Sequence, residues 1–357
     1  MHTIEALNVH EAAQQGIEYL LHSGLEEQSR NGPVLVAPGP VTTTYLNPRE
    51  HILLSPTRDA NPWLHIFDAL WILDGGSDSA FLAYFAKNMA DYSDDGVSSW
   101  GGYGHRLRNF FGHDQLEEII AELKVNPTSR RCAFTMWNAW PMAGDYDQNR
   151  HMNRDNPNLH DHDFHVAVSG GRDVPCNIGG VVDARGERLN LTIFNRSNDI
   201  IWGTYGANVV QFSLLLEYIA MRVGLPIGVY IQVSHNFHAY LEKASRVYLR
   251  NVADDCAELF DGEPLPLPGT ALEAGFDEDL RVFMSWARHV IRVGKGVDEP
   301  GPQFKTAFMQ TVARPMFIAW TARKQKVHAS NVDYWINVIQ APDWQRACRE
   351  WVERRKK

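Results

Sequence analysis

Pro175-Cys176 and Arg196-Ser197 stand at the two ends of a short β-hairpin pattern, twenty residues apart. A cysteine becomes a nucleophile when its surroundings support the thiolate, and arginines beside it do so. Arginine also clamps phosphate through paired, charge-assisted hydrogen bonds. A nucleophile and an anion clamp on one hairpin suit covalent attack on a small phosphorylated molecule. Arg130-Arg131, directly after the turn signal NPTS, is a second source of positive charge. Each feature also has a plain structural reading. A lone cysteine is often a small buried hydrophobe, and an arginine pair is often a solvated strand end.

Asp68 poses the opposite problem, because it lies amid Trp63, Ile66, Leu70, Trp71 and Ile72 on an apolar helix pattern. A carboxyl in such a place is paired, has a raised pKa, or escapes to solvent at the helix edge. The first two cases are common in general acid–base groups. His238 and Tyr240 alternate onto one face at a strand end, where two donors could hold sugar hydroxyls or simply face water. The run with His151, His160, His162 and His165 is close-set and loop-like. With no distant partner residue evident, it is expected to be a solvated or oligomer-contact loop rather than a metal site.

The elements that must position these groups mix helix and strand without βαβ regularity. Helical spacing runs over residues 9–23 and ends at Gly24. Strand patterns broken by Pro-Gly turns occupy 33–55. Asn61-Pro62 opens a mostly apolar helix closed by Gly75-Gly76. Residues 79–91 read as a helix, 92–104 as a loop, 130–138 as a strand, 139–173 as a polar insertion, and 207–223 as a long apolar helix. After Tyr240 the pattern is mainly helical, and the RRKK end reads as solvated. The expected fold is α+β, with helices covering a large, mostly antiparallel sheet. Residues 1–245 form the core, and 246–357 form a C-terminal extension packed on it.

The formal net charge of −9 excludes a general duplex-binding footprint but not a local arginine pocket. Four scattered cysteines make neither a disulfide framework nor a zinc spacing. No apolar run is long enough for a membrane span, and no leader pattern is seen. A reducing, cytoplasmic setting is therefore expected, which would be the host cytoplasm if a phage encodes the chain.

Taken in order, SRRCAFTMWN, Pro175-Cys176, FNRSNDIIWG, His238-Ala239-Tyr240, FDALWIL and Gly102-Tyr103-Gly104-His105-Arg106 resemble the thymidylate synthase family over roughly residues 15 to 245. The resemblance implies an obligate homodimer formed across a sheet face. It implies that Cys176 attacks C6 of a pyrimidine nucleoside monophosphate, with Asp68 and Tyr103 as further catalytic groups. Arg196 and Ser197 would bind the 5′-phosphate, joined by Arg130 and Arg131 from the partner subunit and, by a looser match, Arg30. His238 and Tyr240 would hold the sugar. Asp199, with Trp100 and Gly203, would place 5,10-methylenetetrahydrofolate, the co-substrate; no metal is implied.

The departures from the family pattern bear on the reaction. The uracil-reading asparagine of the family stands four residues after the glycine of the phosphate segment. Counting from Gly203 gives Ala207. Asn208 is next, but on an α-helix its side chain is turned away by about 100°. It serves as the base reader only if the local geometry is unusual. Asn177 replaces a histidine, Asp68 a glutamate, and the loop 92–104 is short. The insertion at 139–173 is long, and a helical extension replaces a short apolar tail. A rebuilt cap that admits water implies hydroxymethylation at C5, and loss of the asparagine tilts the base toward cytosine. The favoured expectation is a dCMP hydroxymethylase. A divergent synthase or C5-methylase, and a catalytically silent nucleotide-binding relative, remain as alternatives.

Overall fold

The computed structural model describes residues 1–139, 162–261, 271–294 and 301–356. The chain begins with β1 (His2–Ala6) and α1 (Val9–Ser23), followed by the hairpin β2 (Leu25–Ser29) and β3 (Gly32–Val36) and then β4 (Val41–Tyr45). α2 (Pro62–Leu73) follows, started by Asn61, whose side chain accepts from the backbone of Trp63 and Leu64. All twelve of its residues are buried, in keeping with its apolar sequence. The pattern read as one helix over 79–91 divides into α3 (Ser79–Phe85) and a 3₁₀ segment, Lys87–Tyr92. α4 (Tyr103–Arg108) and α5 (Gln115–Val125) lead to β5, which covers only Ala133–Thr135 of the expected strand 130–138. Of the polar insertion, the stretch holding His151 and His160 lies outside the described residues. His162 caps α6 (Asp163–Val168), its side chain accepting from the backbone of His165.

The hairpin between Cys176 and Arg196 is β6 (Asn177–Arg185) and β7 (Arg188–Asn195), turning on Gly186-Glu187. Both turn residues have positive φ, 58° and 63°, as the tight two-residue hairpin turn demands. β8 (Asn198–Asp199), a π-helical segment (Ile200–Ala207), α7 (Asn208–Val223), β9 (Ile227–Ser234) and β10 (Phe237–Tyr240) complete the strand-bearing part. Two mixed sheets result, one in the order β1-β4-β9-β7-β6-β5 and the other in the order β2-β3-β10-β8. The second sheet was not foreseen. It brings β8 and β10 side by side, with His238 paired to Asp199.

One face of the larger sheet packs on the helices through Tyr45, Leu189, Leu191, Ile193 and Tyr230, all buried. The pairing registers place Thr42, Val233, Phe194, Gly179 and Thr135 in one row of the opposite face, and Thr44, Ile231, Thr192, Val181 and Ala133 in the next. Phe194 is 38% exposed there. Ala133 and Thr135 are also exposed. In the single chain this largely apolar face is only partly covered.

The rest is helical: α8 (Arg246–Asp261), α9 (Phe276–Val293), α10 (Arg314–Lys324), α11 (Ala329–Asn337) and α12 (Pro342–Glu353). α8 packs on α1, and α9, α10 and α12 pack against α2. Trp63 donates its indole N–H to Met316 O at 2.8 Å and packs against Trp320 and Trp351. The basic end is not free in solvent. Arg354 and Arg355 pair with Asp59, Lys356 pairs with Asp333, and the Arg355 guanidinium lies 3.5 Å from the Trp351 ring. Stacking on an aromatic ring and pairing with acids give this charged run a docked position.

Candidate active site

Hairpin register brings the nucleophile and the clamp together. Asn177 pairs with Asn195, and the Arg196 N–H donates to Cys176 O at 3.0 Å. The Arg196 side chain folds back over the same turn. Nε donates to Pro175 O at 2.8 Å, Nη2 donates to Val174 O at 3.1 Å, and the guanidinium lies 5.4 Å from the Trp137 ring. Burial pushes the Cys176 thiol up; Arg196 pulls it down, Asp173 raises it, Arg30 lowers it, and Asp199 raises it. Arg30 sits in the turn of the β2–β3 hairpin. Its neighbour Asn31 donates to the Tyr240 hydroxyl at 3.4 Å. The loosest match of the sequence comparison thus has its charge acting on Cys176.

Tyr103, at the start of α4, is close enough to Cys176 for the two groups to act on each other. Burial raises its phenol strongly, with Cys176 and Asp173 adding to the effect and Asn177 opposing it. Asn177 is fully buried and lies against the Tyr103 hydroxyl. Asp173 escaped the sequence reading. Burial pushes its carboxyl up to about 6, although the backbone N–H groups of Gly101 and Trp100 and the charge of Arg106 oppose the shift. Its Oδ2 is buried and unpartnered among the described residues.

The segment after Arg196-Ser197 changes the reading of the base contact. Asp199 starts it, Oδ1 accepting from Ile201 N at 2.8 Å and from Trp202 N at 2.7 Å. Ile200–Ala207 then winds as a π-helix, and the Asn208 N–H bonds to Gly203 O. That five-residue step, in place of four, absorbs one residue and carries Asn208 round to the side of Gly203. A Cβ on Gly203 would collide with Asn198 Oδ1 and lie 3.4 Å from Asn208 Nδ2, so the close approach requires glycine. Asn208 Nδ2 donates to Asn198 Oδ1 at 3.2 Å, and Asn198 Nδ2 donates to Ser234 Oγ at 3.1 Å. Asn198, also missed in the sequence, therefore orients the Asn208 amide. The count that pointed to Ala207 assumed an α-helix, and Ile200–Ala207 is not one.

One turn further along α7, Gln211 Nε2 donates to Asp68 Oδ2 at 2.6 Å. Burial pushes the Asp68 carboxyl up to about 7, and the Gln211 hydrogen bond lowers it. Gln211 was legible only as a polar break in the apolar run ANVVQFSLLLEY.

His238 is buried, with its ring 4.9 Å from that of Tyr240. The β10–β8 pairing sets them beside Asp199. Trp100 lies in a buried ionic knot. Its indole N–H donates to Asp163 at 2.8 Å, and Asp163 pairs with the fully buried Arg106 at 2.7 Å. Arg106 also donates to Met136 O and Trp100 O. The knot ties the loop before α4 to the chain that leads to Cys176. Arg130 and Arg131 are exposed on the approach to β5, beside the open sheet face. No described contact joins them to Cys176 within the chain.

With this geometry in view, residues 14–275 match the sequence model of the family described as thymidylate synthase. A protein named deoxyuridylate hydroxymethyltransferase from Pseudomonas phage M6 is 38% identical over 364 aligned positions, covering 100% of this chain and 95% of that one. One of the same name from Bacillus phage SP01 is 33% identical over 250 positions, covering 63% and 59%. The crystal structure of thymidylate synthase from T4 phage superposes with a TM-score of 0.51 at 20% identity, over 71% of this chain and 82% of that one. The chain belongs to the thymidylate synthase family.

Proposed function

We propose that this protein hydroxymethylates C5 of a pyrimidine nucleoside 5′-monophosphate, with dUMP as the substrate and 5,10-methylenetetrahydrofolate as the one-carbon donor. The observation that carries the reading is a hairpin-borne Cys176–Arg196 pair whose thiol feels Asp199 of β8, with Asn208 returned by the π-helix to the side of Gly203 and held by Asn198 of the same strand. The preference for cytosine rested on Ala207 at the base-reading position. With Asn208 in reach, its amide can donate to O4 and accept from N3–H of uracil. The names of the phage relatives point to the same base.

Arg196, Ser197 and Arg30 hold the phosphate, and His238 and Tyr240 hold the sugar. The Cys176 thiolate forms a bond to C6 and drives an electron pair toward C5 and C4–O. The donor supplies a one-carbon unit at the methylene level. Asp199 fits as a contact for its N–H-bearing ring, because both bonds that Asp199 accepts fall on Oδ1 and leave Oδ2 for a ligand. Tyr103 stays protonated and donates a hydrogen bond to the reacting ring. C5 bonds to the donor's methylene carbon; the C5 proton then passes to a base and N5 takes a proton as its bond to that carbon breaks, which releases tetrahydrofolate and leaves an exocyclic methylene on C5. Water adds to that methylene and gives its proton to Asp68. The electron pair returns through C5 and expels the thiolate from C6.

The half-covered sheet face supports a homodimer. Arg130 and Arg131 border that face, and from there they reach the partner's phosphate site.

The test is mass spectrometry of products from dUMP, dCMP, UMP and CMP, each with methylenetetrahydrofolate, alongside release of tritium from the 5-tritiated nucleotide. The expected product is the 5-hydroxymethyl nucleotide of dUMP, with no dihydrofolate formed and all tritium release lost in Cys176→Ser. Formation of dihydrofolate and thymidylate would make the protein a synthase. No tritium release from any nucleotide would make it a silent binder, and turnover of dCMP alone would return the base to cytosine.

A further inference from the structure

Gln211 is the one polar group shown holding the Asp68 carboxyl. It leaves α7 three residues after Asn208, so the two side chains share a helix face. Both Gln211 and Asp68 are buried. The amide N–H donates at 2.6 Å, while Gln211 Oε1 is buried and unpartnered among the described residues. A buried acceptor left in that condition is unfavourable, so the site favours any ligand that donates to it. Burial is the main influence on the Asp68 carboxyl and Gln211 is the other; among the described residues no charged side chain is named as acting on it. Asp68 is one methylene shorter than the glutamate of the family pattern. Its carboxyl is correspondingly drawn back toward α2, and Gln211 is long enough to reach it from α7.

We propose that Gln211 is the positioning residue for water capture. Its N–H pins the Asp68 carboxylate away from the base, and its Oε1 accepts a hydrogen bond from the water that occupies the space this opens. The inference rests on the hydroxymethylation reading above. In the step itself, the water oxygen bonds to the C5 methylene carbon. One of its protons passes to Asp68 while its other O–H points at Gln211 Oε1. The methylene π pair moves to C5 and C4–O, then re-forms the C5–C6 double bond as the C6–S bond to Cys176 breaks. No oxidant or reductant is needed.

An exocyclic methylene that meets no water is captured by a small thiol, so added mercaptoethanol reads the partition as thioether against hydroxymethyl nucleotide. Gln211→Asn shortens the amide and opens the contact. The thioether-to-hydroxymethyl ratio is expected to rise about 100-fold, the scale of one general acid–base contribution. Tritium release should fall far less, and KM for the nucleotide should change little. In Asp68→Glu/Gln211→Asn, one methylene moves across the pair. That restores the amide–carboxyl contact but advances the carboxyl toward the base, so the thioether is expected to dominate again. A wild-type partition in either variant would overturn the inference, and so would parallel loss of tritium release and hydroxymethylation in a folded Gln211→Asn. If the wild-type protein itself made no hydroxymethyl nucleotide, the proposed function would fail first.

Discussion

Cys176 carries opposing pulls on its proton. Burial, Asp173 and Asp199 raise its thiol, whereas Arg196 and Arg30 lower it. Burial pushes the Asp173 carboxyl up only to about 6, so across the range where a raised thiol ionises it is already an anion. Neutralising it removes a repulsive charge from the thiolate. Asp173→Asn should therefore move the pH profile of Cys176 alkylation to lower pH, by about one unit for a loss of roughly 1.4 kcal/mol of repulsion. The check is the rate of modification by iodoacetamide against pH, with Cys176→Ser as the blank. A profile moved upward or left unchanged would mean that Asp173 does not act on the thiol. Cys176, Arg196 and Asp68 were legible in the sequence because each is a conspicuous residue type in an unusual setting. Asp173, Asn198 and Gln211 were not, because an ordinary polar residue declares its role only through the atoms it meets across the fold.

The π-helix Ile200–Ala207 shows where periodicity arguments stop. Counting residues at the α-helical angle put Asn208 on the wrong side, yet a five-residue turn brings it beside Gly203. A π segment has no signature in apolar spacing, because its inserted residue is paid for by packing elsewhere. Deleting Ala207 should let the segment relax to α-helix while the asparagine keeps its place, since four α residues turn the chain through about the same angle as five π residues. The expected result is retained turnover of dUMP. Ala207→Asn combined with Asn208→Ala should fail, because position 207 faces elsewhere. Steady-state kinetics with dUMP and dCMP check both variants. If the deletion were inactive and the double variant active, the base contact would lie at position 207. The long apolar elements were readable: α1 with its stop at Gly24, α2 with its Asn61-Pro62 start, and α7 all lie where hydrophobic spacing put them. The sheet order was not readable, because strand pairing is decided between segments distant in sequence.

Across the whole molecule, two surfaces matter. The first is the open sheet face bordered by Arg130 and Arg131. If these arginines serve the partner's site, Arg130→Ala/Arg131→Ala and Cys176→Ser homodimers should each be inactive. Mixed and re-equilibrated, they should regain about a quarter of wild-type activity, since half of the dimers are hybrids with one complete site of two. Absence of any recovery, with hybrids confirmed by mass, would confine the arginines to their own chain. The second surface is the seat of the C-terminal helices on α2. Arg354 and Arg355 grip Asp59 in the loop that enters α2, and Arg58 in the same loop donates to Ile201 O of the π-helix at 2.9 Å. The helix that bears Asp68 and the π-helical turn before Asn208 thus share a brace fastened from the far end of the sequence. During synthesis, a nascent chain that has already extruded Cys176, Arg196 and Asn208 still lacks that fastening. It gains the fastening only after residues 314–355 have left the ribosome. The order of translation therefore sets the order in which this site matures, and a ribosome stalled late should display the chemistry-bearing residues without a formed site.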